Sequence, residues 1–243
     1  MNEAISEVPK LKRAVRVLPP SWAPLVLVLF CYGGMAMVLF AQSVIDARYG
    51  EQILSETDDI LTRMKWDTIV FDALDLGLVL IALVFAGRPD RYPAAWHRGL
   101  TWLCSVPGFA IFLGINLAYS FTLRELLKDF LPKDQELIML GLDRDAWWAI
   151  VLICIQPAIV EELFFRHLML GHLRSHLGPH SAVWVTAVLF GMAHLGNVGG
   201  WPVLIIVGTG FGYARVLSGG MMLPMLLHFC HNLAVLAVEA ELK

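Results

Sequence analysis

The chain has 243 residues, of which 58% are hydrophobic and 16% charged, with a formal net charge of −3. A soluble domain carries roughly 25% charged residues and could not hide this much apolar surface, so an ordinary water-soluble fold is excluded. The small net charge also removes any reason to expect a nucleic-acid partner.

Mean hydropathy is +0.66, and lipid is the solvent that suits it. Lipid cannot satisfy loose backbone polar groups, so spanning segments in this chain must be helices. The fold class expected is all-α: a polytopic transmembrane bundle of about seven helices, within a range of six to eight.

In chain order, residues 1–20 read as a cytoplasmic N-terminal tail carrying Lys10, Lys12, Arg13 and Arg16. The basic part precedes an apolar run longer than the roughly 7–15 residues of a signal-peptide core, and no small-residue cleavage site follows, so it is not read as a cleavable signal. Seven apolar segments follow, at about 22–44, 67–87, 100–123, 146–170, 180–196, 201–217 and 221–239. The second carries Asp67, Asp72 and Asp75 in its first half. Polar connections are expected at 45–66 and 124–145, with a short interfacial helix at 124–130 that Pro132 ends. Residues 21–145 thus form an N-terminal group of membrane helices with polar loops, and residues 146–243 form a second group.

Arg88, Arg91 and Arg98 in the tight second loop and the basic tail both favour the cytoplasmic side, which gives an expected N-terminus inside and C-terminus outside. Trp22, Trp96, Trp102, Trp147, Trp148 and Trp201 fall near expected helix ends and read as interfacial anchors. Cys31, Cys104, Cys154 and Cys230 all lie in apolar stretches without a CxxC pair, and read as small buried hydrophobes. His167, His172, His176 and His180 read as a solvated face on the loop after the fourth segment.

Ionisable groups inside membrane helices cost at least about 2.5 kcal/mol each on insertion, so their clusters mark candidate sites. The fourth segment holds two adjacent carboxylates, Glu161 and Glu162, followed by Arg166. Glu162 and Arg166 are four apart and share a helix face, where they can pair. Glu161 lies about 100° round the helix and is left for another neighbour. Such a carboxylate in an apolar cavity suits a general base, although a structural ion pair with an interfacial glutamate is the alternative. His194 in the fifth segment is either a satisfied structural histidine or a member of the site. Small neighbours Gly191 and Ala193 would let another helix approach it. In the seventh segment His228 and Asn232 lie one turn apart and present two hydrogen-bonding groups in one direction. They suit either an oxyanion site or interhelical hydrogen bonds. His231 lies near the same face. Gly208 and Gly212 in the sixth segment have the spacing of close helix packing.

The order Glu161-Glu162-x-x-x-Arg166, Phe190-x-x-x-His194, His228-x-x-x-Asn232 resembles the CPBP family, the type II CAAX prenyl endopeptidases with the bacteriocin-processing and Abi proteins. The resemblance covers about residues 146–240. It implies a glutamate-dependent intramembrane endopeptidase acting on a membrane-associated or lipid-anchored protein or peptide. Within it, Glu161 corresponds to the glutamate that activates water and His194 to the histidine that holds or polarises that water. His228 and Asn232 correspond to the oxyanion pair, and Glu162 and Arg166 to supporting residues. Phe165 stands where many relatives have tyrosine. No cofactor or metal is expected on this reading, and the setting is the lipid bilayer, as a multi-pass protein of a prokaryotic plasma (inner) membrane. The alternatives are a zinc-dependent membrane protease using Glu161, His194, His228 and His231, although HExxH is missing; a non-catalytic immunity or scaffold protein of the same fold; and a transporter, against which the lack of an internal repeat argues. Substrate identity and oligomeric state are not encoded in any motif.

Overall fold

The computed structural model describes residues 22–56, 60–86, 98–127, 146–195 and 198–241, together with Pro89, Pro93 and Ala94. Among these residues there is no strand. The elements are α1 (Ala23–Glu56), α2 (Ile60–Ala86), α3 (Arg98–Leu127), a long helical run over 146–193, α6 (Trp201–Ser218) and α7 (Met222–Glu241). The basic tail, Arg88, Arg91, Trp96 and Pro132 lie outside the described residues.

The long run divides at Gly178, whose φ of 75° and ψ of 170° break the helix, with Pro179 directly after it. Only glycine tolerates that region without strain. The two parts, α4 (146–177) and α5 (179–193), fold back on each other. A straight helix would separate residues 165 and 190 by about 37 Å, yet the rings of Phe165 and Phe190 are 5.3 Å apart. The expected count of about seven helices therefore holds among the described residues, and the boundary between the fourth and fifth sits at the Gly-Pro step.

Four stretches are long and apolar enough to cross a membrane: Lys65–Ala86, Gly99–Leu123, Trp147–Ala193 and Trp201–Ser218. Shorter apolar stretches lie at Ala23–Met37 and Met222–Val238. Large apolar side chains on the outside of these helices, such as Met37, Val84, Leu103 and Val106, are exposed, as a lipid-facing perimeter requires. The protein is an integral membrane helical bundle.

Several expected boundaries move. The polar stretch 45–66 is not a loop: α1 runs on to Glu56 and α2 begins at Ile60. A 34-residue helix is about 51 Å long, well beyond the roughly 30 Å hydrocarbon. No separate helix begins at 124, because α3 continues through it to Leu127. His167, His172 and His176 sit within α4, and His172 is buried. His180 pairs with the hydroxyl of Tyr213 on α6 at 3.0 Å. Cys104 is exposed while Cys154 is buried, and all four cysteines are free. Trp148 is buried, unlike the exposed Trp22 and Trp147.

The main core joins Phe164, Phe165, Leu168 and Met169 of α4 to Phe190 and Ala193 of α5, with Ala23 and Leu27 of α1 and Val79, Ala82 and Ala86 of α2 packed against them. The most extensive packing is of the run 170–193, which includes α5, against α6, and small residues make it possible. A Cβ on Gly208 would stand 3.0 Å from a ring carbon of Phe190 and 3.4 Å from the backbone of Ala187, and one on Gly212 would stand 2.9 Å from Val183. The glycine pair is thus the contact surface for α5, as its spacing suggests.

Candidate active site

Local helix geometry sets the site. Within α4 two π-helical turns, Ile150–Ile155 and Leu163–Met169, bracket the short α segment Gln156–Glu162. Wide turns of this kind rotate the residues that follow them, and they recur at functional sites. Pro157 opens the α segment and has no N–H to offer the carbonyl of Ile153 four residues earlier. Asn232 Nδ2 of α7 donates to that carbonyl at 3.0 Å. A proline on one helix therefore frees the acceptor that fixes an asparagine on another. Gln156 Nε2 donates to the backbone carbonyl of Asp72 at 3.1 Å and ties the same segment to α2.

The adjacent glutamates face different surroundings. Glu162 is fully buried, 0% exposed. Its Oε1 lies 3.0 Å from Arg166 Nη1, the expected i, i+4 ion pair, and also 2.9 Å from His228 Nδ1. Arg166 is 1% exposed. It donates from Nη2 to the carbonyl of Gly208 at 3.1 Å, and its guanidinium lies over the ring of Phe190 at 4.3 Å. One buried cluster thus locks α4, α5, α6 and α7 together. The pairing of Glu162 with His228 was not visible in the spacing, because 66 residues separate them.

Glu161 turns the other way, into a cavity of about 280 Å³. His194, His228, His231 and Asn232 line the same cavity, with Phe190 and Phe211 among its apolar walls. The three distant stretches of sequence meet in one place. Glu161 Oε2 is buried and has no hydrogen-bond partner among the described residues.

His194 caps the end of α5. Its Nδ1 is 2.9 Å from the carbonyl of Phe190, and since a carbonyl only accepts, the hydrogen is on Nδ1 and Nε2 of the neutral ring carries a free lone pair. Trp201 Nε1 donates to the His194 carbonyl at 3.0 Å. Trp201 is therefore more than an interfacial anchor, because it holds the backbone of a candidate residue. His228 stacks on Phe211 with centroids 5.0 Å apart and planes 23° from parallel, which leaves the Nδ1 edge to Glu162. Expected as a pair, His228 and Asn232 both reach the cavity, each with one polar group already engaged on a neighbouring helix.

Glu161 and His194 also form a wall of a second cavity of about 240 Å³, together with Asp75, Cys31 and apolar residues of α1 and α2. Asp75, noted in sequence as one of three aspartates in the second apolar segment, stands beside the candidate site. Its signal in the sequence was only that it is a carboxylate in an apolar span. Among the described residues no group of three or more His, Cys, Asp or Glu side chains has the arrangement of a metal site.

A model of the family described as Type II CAAX prenyl endopeptidase Rce1-like matches residues 143–234. That range contains every residue singled out above on α4 to α7 and leaves out α1 to α3. Neither a curated protein nor a solved structure matches the chain.

Proposed function

We propose, from the likeness of residues 143–234 to the type II CAAX prenyl endopeptidase Rce1-like family, that the chain is an endopeptidase hydrolysing a peptide bond of a membrane-associated or lipid-anchored protein or peptide with glutamate- and histidine-activated water. The observation that carries this reading is the single cavity into which Glu161, His194, His228 and Asn232 all project.

In the reaction we assign, water sits between the Glu161 carboxylate and Nε2 of His194. Glu161 takes a proton from it as the oxygen attacks the scissile carbonyl. His228 and Asn232 meet the oxygen that becomes negative. The C–N bond then breaks, and Glu161 returns the proton to the leaving amine. Glu162, engaged by Arg166 and His228, takes no part in the proton transfer; it orients His228. General acid–base help contributes about 10²–10⁴-fold and one oxyanion donor about 10²–10³-fold. The phenylalanines around the cavity keep bulk water from competing for these groups. Neutral His228 presents a bare Nε2 to the cavity, because Nδ1 carries the hydrogen toward Glu162. From that nitrogen it donates to an oxyanion only as the imidazolium.

The test is a library of membrane-tethered peptides presented to purified protein, comparing the wild type with Glu161→Ala and His194→Ala. We expect the wild type to cut a subset and both variants to lose at least about 10²-fold in kcat/KM. Cleavage that survives both changes overturns the assignment, and a wild type that cuts nothing favours the non-catalytic reading of the same fold.

A further inference from the structure

His231 is the third histidine of the cavity and has no role in the scheme above. It also borders a larger apolar cavity of about 330 Å³ between α3, α6 and α7, so its ring is part of the partition between the two. Its Nε2 lies 3.0 Å from Asn116 Nδ2 on α3, and both side chains are buried. Ser120, one turn further along α3, donates from Oγ to Asn116 Oδ1 at 3.2 Å.

In the amide orientation that Asn116 adopts, these contacts set the direction of each hydrogen. With Oδ1 occupied by the serine hydroxyl, the amide turns Nδ2 toward His231. An amide nitrogen only donates, so Nε2 accepts and the N–H of the neutral ring is on Nδ1. His194 and His228 are set the opposite way, because each gives its Nδ1–H to an oxygen that can only accept. Of the three histidines lining the cavity, two therefore present bare nitrogens when neutral and His231 alone keeps an N–H to offer. The sequence neighbour of His231 is Asn232, which has one of its two amide hydrogens committed to Ile153.

We propose that His231 Nδ1–H is a further hydrogen-bond donor to the developing oxyanion beside Asn232, and that Asn116, held by Ser120, is the positioning residue that sets this tautomer. This rests on the proteolytic reading and extends the site to α3, outside the matched segment. A neutral ring pre-set as a donor needs no proton uptake at the moment of reaction, and stabilisation by such preorganised donors is greatest where water is excluded.

Two measurements test it. The first is independent of activity: ¹⁵N NMR of histidine-labelled protein in lipid nanodiscs. The wild type is expected to show His231 protonated at Nδ1, and Asn116→Leu to move population to the Nε2–H form. A wild-type His231 protonated at Nε2 overturns the proposal. The second is kinetic, with a cleaved tethered peptide. His231→Leu and Asn116→Leu each lower kcat, His231→Leu by about 10²-fold, with KM within about threefold. The double variant loses no more than His231→Leu alone, as groups acting through one another do. His231→Gln, whose amide can still donate, keeps more activity than His231→Leu. Full activity in either leucine variant, or losses that simply add, overturns the proposal. Cleavage that survives Glu161→Ala would sink the proteolytic chemistry while leaving the NMR result standing, so the two failures are separable.

Discussion

At the scale of single residues, the two adjacent glutamates show how a single step along a helix separates a sealed side chain from one that faces a cavity. Glu162 is sealed and doubly engaged, whereas Glu161 faces open volume. Removing one partner of a buried ion pair leaves an uncompensated charge and costs about 3–5 kcal/mol. Arg166→Ala should therefore lower thermal stability and folded yield as well as activity, measured by size-exclusion profile and melting temperature in detergent. An Arg166→Ala protein that folds and cuts like the wild type removes the supporting role of the pair. Glu161→Gln should behave differently, losing activity with a melting temperature within a few degrees of the wild type. Positions 161, 162, 166, 194, 228 and 232 stood out as a pattern because each is a polar residue placed at helical spacing in an apolar run, where its cost demands a reason. Partners brought from far along the chain were not legible. Nothing in the sequence joins Asn116 to His231 or His228 to Glu162, since those contacts exist only after α3, α4 and α7 have packed.

At the scale of elements, Pro157 and Gly208 carry the geometry. Pro157→Ala supplies an N–H that can compete with Asn232 for the Ile153 carbonyl, so Asn232 should lose its anchor. The expected result is a kcat/KM reduced by about tenfold with stability unchanged or raised, since a proline within a helix costs about 3 kcal/mol. A loss of stability matching the loss of activity would contradict it. Gly208→Ala places a methyl group 3.0 Å from the Phe190 ring and 3.3 Å from Arg166 Nη2. Overpacking of this kind costs about 1–3 kcal/mol, and here it also displaces the guanidinium that pairs with Glu162. Melting temperature and activity should fall together. Helix existence and order were readable from apolar run length. Helix ends were not, because α1 and α2 extend into polar sequence that resembles a loop when only hydropathy is considered. His172 misled for the same reason: polarity suggested solvent, while the helix carries it into the interior; His176 and His180 are exposed, as expected.

At the scale of the whole molecule, a lipid-facing perimeter encloses cavities that share their walls. Glu161 and His194 separate the site from the Asp75 cavity, and Phe211 and His231 separate it from the apolar cavity beside α3. The composition made a membrane bundle legible at once. The contribution of α1 to α3 was invisible, because their polar residues follow no motif and acquire meaning only from what they face. If water activation falls to Glu161 and His194, a strong chelator such as phenanthroline should leave peptide cleavage unchanged. Complete loss, restored by added zinc, would favour the zinc-protease alternative. The most direct measurement is an experimental structure of the protein in a lipid nanodisc at a resolution that shows ordered water. A solvent molecule is expected within about 2.6–3.2 Å of both the Glu161 carboxylate and His194 Nε2, with His228 and Asn232 around the same cavity. Side chains of these four residues turned to lipid or scattered over separate surfaces would contradict it.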